Sequence, residues 1–214
     1  MKNRDSAAAF INAWNELLGM ETPPHHLEMT RFFVKTIFEK SSPRSEGCPK
    51  GGVVFNRGLM MCFRHSGKSS VVGIMAAWFL TIKPQARVLI LSAEQTLSSR
   101  MVSHIKNIIE NHPACKDMVP MVKKEWASHR ITIERPVGPR EPSVICQGVH
   151  GNITGMRADL IICDDVEVPN TSNTAQKRAQ LRERLRELDF ILSPGGAMLY
   201  LGTPHSADTI YQVQ

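Results

Sequence analysis

Apolar residues recur at helical spacing along the start of the chain. Phe10, Ile11, Trp14, Leu17 and Leu18 fall on one face, which predicts an amphipathic helix capped by Asp5 or Ser6 and stopped by Gly19. A second helix is predicted after Pro23-Pro24, carrying Leu27, Phe32, Phe33, Ile37 and Phe38, and the serine-, proline- and glycine-rich stretch 41–52 then reads as a loop. From residue 53 the texture changes. Short apolar runs at 53–55, 59–63, 88–91, 144–146, 160–163 and 198–201 alternate with helical stretches at 68–80, 94–111 and 174–188. Strands covered on both faces read as continuous apolar runs. The expected fold class is therefore α/β: a mostly parallel sheet flanked by helices on both faces, with residues 1–50 as an amino-terminal helical cap on a core of residues 51–214.

One segment resists this pattern. Residues 123–142 mix Lys123, Lys124, Arg130, Arg135 and Arg140 with three prolines, and read as a solvated connection or a β-excursion, with a DNA-contacting loop as the competing reading.

Composition narrows the class. With 214 residues, 42% hydrophobic and 21% charged, the chain can bury a substantial core. A formal net charge of +6 suits a partner that is a polyanion, nucleic acid foremost. Cys48, Cys62, Cys115, Cys146 and Cys163 form no C-x-x-C pair, which predicts reduced thiols in a cytosolic compartment rather than disulfides. The histidines, including the adjacent pair His25-His26, stand in no zinc-like array and read as surface or core imidazoles. The amino terminus lacks the pattern of a secretory signal. The longest apolar run, 71–82, is too short to span a bilayer, so no membrane partner is expected.

Residues 61–72, MCFRHSGKSSVV, bring in chemistry. A phosphate-binding loop reads G-x-x-x-x-G-K-S/T: backbone N–H groups wrap the phosphates, the lysine meets outer oxygens and the hydroxyl meets magnesium. Gly67, Lys68 and Ser69 fit this pattern, Cys62 stands where the first glycine belongs, and His65, Ser66 and Ser70 complete the candidate ATP-contacting loop. Hydrolysis needs a second half, a carboxylate beside magnesium and a group that orients water. The stretch DLIICDDVE, 159–167, supplies a buried strand ending in Asp164 and Asp165, with Glu167 just beyond, in the form of a Walker B segment. Asp164 is assigned to Mg2+; Asp165, one methylene shorter than the usual glutamate, and Glu167 compete for polarising water. A third strand, 197–202, breaks at Gly202-Thr203-Pro204, placing Thr203 to sense the γ-phosphate.

With these pieces in order, residues 51–214 resemble the ATPase domain of the large terminase subunit of tailed bacteriophages, most specifically in the block GVHGNITGMRADLIICDDVEVPN, 148–170. The resemblance implies a P-loop NTPase fold of ASCE type that binds ATP and Mg2+ and moves double-stranded DNA into a procapsid. It implies portal protein and small terminase subunit as partners, and a homo-oligomeric ring, a pentamer, in the host cytoplasm at the portal vertex, with the isolated domain a monomer. Terminases commonly lack the first loop glycine and keep an arginine before Gly-Lys-Ser, a part that Arg64 matches as a γ-phosphate switch or charge stabiliser. Arg157, before the acidic strand, matches an arginine offered to the neighbouring subunit, with pairing to Asp159 or Glu167 in its own chain as the alternative and Arg100 as second choice. Adenine is expected between Pro24 and Phe33.

The stretch TAQKRAQLRERLRELDFIL, 174–192, places Leu181, Leu185, Leu188 and Leu192 on one helical face and Lys177, Arg178, Arg182, Arg184 and Arg186 on the rest, with Glu183 and Glu187 as partners. That face reads as solvated, or as a contact for the DNA backbone. Large terminases usually continue into a nuclease domain; its absence after residue 214 predicts a fragment without cleavage activity. Two alternatives stay open: a helicase-like or other DNA-remodelling P-loop ATPase, of which no further motif is found, and a non-catalytic nucleic-acid-binding scaffold whose nucleotide site is degenerate at Cys62 and Asp165.

Overall fold

The computed structural model describes residues 2–39, 56–135, 138–203 and 209–211. The predicted loop 41–52, the strand 53–55, Cys48, the boundary at residues 50 and 51, and residues 204–206 lie outside the described residues.

Two helices open the chain, α1 (Lys2–Leu17) and α2 (Pro24–Phe38). Helix α1 begins ahead of the expected caps. Asp5 lies inside its first turn, where a carboxylate favours the positive end of the helix dipole, and the Ser6 hydroxyl accepts from Trp78 Nε1 at 3.2 Å. Gly19 adopts φ 70° just past the helix, the left-handed stop expected of it. Leu17 and Leu18 depart from the expected apolar face: both are about half exposed, at 53% and 51%, whereas Phe10, Ile11 and Trp14 are buried. Helix α2 starts on Pro24, whose missing N–H costs nothing in a first turn.

The core follows as β1 (Asn56–Met61), α3 (Lys68–Ile82), β2 (Val88–Ser92), α4 (Gln95–Asn111), β3 (Arg130–Ile131), β4 (Val144–Gly148), β5 (Ala158–Asp164), α5 (Pro169–Ser172), α6 (Ala175–Arg186) and β6 (Leu192–Gly202). The strands form one sheet in the order β1-β6-β5-β2-β4-β3, parallel throughout except for the β3–β4 pair. Strand β6 is inserted between β1 and β5, the strands that lead to the phosphate loop and the acidic pair. That insertion is the ASCE arrangement.

Alternate residues of the central strands serve opposite faces. Val88, Ile90, Leu160, Ile162, Leu199 and Leu201 join a core with α1 to α4, while Leu89, Leu91, Ile161, Cys163 and Met198 pack with Leu181, Leu185 and Leu188 on the other side. Helix α3 packs against α1, α2 and α4 and shares their core with the sheet, which explains why its sequence is apolar almost all round. The poorly readable segment is a β-excursion: β3 runs antiparallel to β4, and Trp126 bridges to Ile131.

The predicted helix 174–188 ends sooner. After Arg186 the chain tightens into a 3-10 turn, Glu187–Phe190, and Leu192 opens β6 instead of sharing the helix face, although it packs into the same core. No helix among the described residues is long and apolar enough to cross a membrane.

Candidate functional site

Strand β1 delivers the chain to the carboxyl edge of the sheet. Cys62 still donates its N–H to Gly202 O at 3.2 Å, so the residue in place of the first loop glycine simply extends the strand. The chain then turns through His65, at φ 68°, and Gly67, at φ 78°. Gly67 is required on two counts: its left-handed backbone, and the His26 ring, whose Nε2 stands 2.5 Å from where a Cβ would be. His25 and His26 both reach Ser66 O through Nε2, at 3.2 and 3.1 Å. A carbonyl oxygen has two lone pairs, so two imidazole N–H groups can share it and hold the loop from outside. Helix α3 begins at Lys68, with its first amide hydrogens facing the loop.

The acidic pair meets this loop from β5. Ser69 Oγ donates to Asp164 Oδ1 at 3.0 Å. Lys68, 8% exposed, donates through Nζ to Thr203 Oγ1 at 3.0 Å and lies 3.4 Å from Asp165 Oδ1. Asp165 takes φ 44°, a left-handed conformation that aspartate tolerates and that clusters at functional sites. Burial, and then the neighbouring Asp165 charge, push the Asp164 carboxyl up to about 6, against the Ser69 hydrogen bond and the Lys68 charge. Ser66 Oγ and Asp165 Oδ1 are buried without a hydrogen-bond partner. A buried hydroxyl without a partner, a pair of carboxylates beside a lysine and a helix amino terminus make a set of groups that suits a phosphate with a divalent cation.

Arg100 and His104 of α4 line a cleft of about 280 Å³ with Ser69, Ser70, Asp164 and Asp165. His104 Nε2 lies 3.3 Å from Ser70 O, and burial holds its imidazole below the ordinary range.

The other sequence-predicted residues are dispersed. Arg64 is exposed at the loop turn. Glu167 is buried and turned away: Thr209 Oγ1 and the Ile210 N–H donate to its carboxylate. Arg157 precedes β5 while Asp164 ends it, which separates the two by roughly 20 Å at a strand's rise per residue. It is exposed in a cavity of about 570 Å³ beside Phe190, and neither suggested partner is open to it, because Asp159 is taken by Arg87 at 3.0 Å and Glu167 by Thr209. The basic face of α6 is largely engaged. Arg184 donates to Val149 O and Gly151 O, pinning the glycine-rich loop ahead of Arg157, and Arg186 pairs with Glu183 at 3.0 Å. Sequence reasoning missed the loop-holding roles of His25 and His26, whose only visible signal was an adjacent pair just after Pro23-Pro24.

Residues 59–200 match the family model described as terminase large subunit, T4likevirus-type, N-terminal. The large terminase subunit of Enterobacteria phage T3 is 34% identical over 160 residues, which cover 72% of this chain and 27% of that protein, so the chain spans about a quarter of this curated relative. Solved structures similar to it include the large terminase ATPase domain of Thermus phage P74-26, at 17% identity and a TM-score of 0.42 over 89% of this chain and 68% of that one. A point mutant of that domain gives 17% identity and a TM-score of 0.45 over 92% and 70%. By sequence, this chain belongs to the terminase large subunit family and corresponds to its amino-terminal portion.

Proposed function

We propose that this chain is the ATP-hydrolysing motor domain of a viral DNA-packaging terminase, acting on double-stranded DNA together with a portal protein and a small terminase subunit. The supporting observation is the meeting of two segments about a hundred residues apart: Lys68 and Ser69 from the phosphate loop, Asp164 and Asp165 from β5.

Bound ATP with Mg2+ would supply the transferable γ-phosphoryl group and the cation that balances its charge. Ser69 and Asp164 would hold the cation, and the amides of residues 65–70 the phosphates. Lys68 would exchange Thr203 and Asp165 for phosphate oxygens, and Thr203, freed from the ammonium, would register that exchange. Asp165 is the carboxylate assigned to orienting water, since Glu167 already has both oxygens engaged. Arg64 adds positive charge at the loop turn. Arg157 stands at the far end of β5 from its own Asp164, so it serves a neighbouring copy in a ring, while Arg100 serves its own cleft.

The test is turnover by the purified chain, with and without DNA, under conditions that assemble the oligomer. Wild type should hydrolyse ATP, and Lys68→Ala should lose at least about a hundredfold, in line with removal of a preorganised charge at the reacting phosphate. Undiminished hydrolysis in that variant would overturn the site assignment.

A further inference from the structure

Two residues past Asp165, the Glu167 side chain is 3% exposed. A carboxylate buried that far needs donors to replace water. Thr209 Oγ1 donates to Oε2, and the Ile210 N–H lies 3.3 Å from each carboxylate oxygen. Thr209 Oγ1 in turn accepts from the Tyr211 N–H at 3.3 Å. The Tyr211 ring then lies on the end of β6: its Cε2 stands 2.8 Å from where a Cβ on Gly202 would be, and it meets Tyr200 edge-on with centroids 6.4 Å apart. Gly202 directly precedes Thr203, the residue that accepts from Lys68. A chain of contacts thus runs from Glu167 through Thr209 to Tyr211, over Gly202, to the lysine of the phosphate loop.

We propose that Glu167 is a positioning residue, a clasp that holds residues 209–211 across the end of β6 and thereby keeps Thr203 against Lys68. This deepens the ATPase reading and rests on it. As a clasp, Glu167 never meets water or phosphate.

Glutamine separates a clasp from a base. Its Oε1 can accept from the Ile210 N–H and its Nε2 can donate to Thr209 Oγ1, so the clasp survives in Glu167→Gln, whereas a base does not. Two readouts are needed: ATP turnover, and hydrogen exchange of the Ile210 and Tyr211 amides in the nucleotide-free protein. Glu167→Gln should keep kcat within about threefold of wild type and keep both amides protected. Glu167→Ala and Thr209→Val should speed exchange at these amides about tenfold and lower kcat about tenfold, with KM for ATP changed less than about twofold. Asp165→Asn should lower kcat about a hundredfold or more and leave that exchange unchanged.

The clasp is overturned if Glu167→Gln is as inactive as Asp165→Asn, or if exchange at Ile210 is unaltered in both Glu167→Ala and Thr209→Val. A wild-type chain without turnover under conditions that assemble the oligomer would instead refute the ATPase reading, and the exchange measurement would still judge the clasp.

Discussion

Asp164 is where burial of a charged group costs the free protein most plainly. Its carboxyl titrates at about 6 in the folded protein against an ordinary 3.8, so between these values the unfolded chain ionises first. The free protein therefore loses stability as pH rises through that window. His104 and His112 act oppositely: burial holds both below 6.5, so the stability of their neutral forms is present above that pH and lost as pH falls. Asp164→Asn isolates the first effect. It should stabilise the free protein by ~1–2 kcal/mol at neutral pH, converge on wild type near pH 4 and lose turnover; urea unfolding at the two pH values checks it, and equal stability at neutral pH would contradict it. That Lys68, Ser69 and Asp164 would come together was legible in the sequence, because each belongs to a motif of fixed local spacing. The engagement of Glu167 was not, since its partners at 209 and 210 lie some forty positions away and leave no local trace.

Among elements, the junction of α2 with the phosphate loop matters most. The His25 and His26 contacts to Ser66 O tie the loop to a helix that is itself packed on α3, β1 and β6. His26→Ala should therefore leave the fold intact and weaken nucleotide affinity about fivefold, the scale of one hydrogen bond. Titration calorimetry with a nonhydrolysable analogue would show it, and unaltered affinity would mean that the loop holds itself. Strands β2 and β5 were readable because continuous apolar runs need cover on both sides. The end of α6 was not: Leu181, Leu185, Leu188 and Leu192 keep helical spacing, yet the chain leaves the helix after Arg186 and the same core takes Leu192 from a strand. Periodicity reports burial, and here burial persisted across a change of backbone.

At the scale of the whole molecule, the shared direction of the strands sets Arg157 apart from the proposed site. Parallel strands put the phosphate loop, Asp164 and Thr203 at one edge and Arg157 at the other. A chain so built cannot complete its own site with Arg157, but successive copies in a ring could. Arg157→Ala and Lys68→Ala should each be inactive under conditions that assemble the oligomer. An equal mixture should recover on the order of a quarter of wild-type turnover, because a sound loop then meets a sound arginine in a quarter of random neighbour pairs. No recovery on mixing would place Arg157 outside the reaction.

The proposed motor depends on the phosphate loop and the β5 carboxylates forming one site for a nucleotide and a divalent cation. A crystal structure with a nonhydrolysable ATP analogue and Mg2+ tests it most directly. Lys68 should move from Thr203 and Asp165 onto the terminal phosphate, with the cation between Ser69 and Asp164. An analogue bound elsewhere, with Lys68 still on Thr203 and Ser69 still on Asp164, would contradict it.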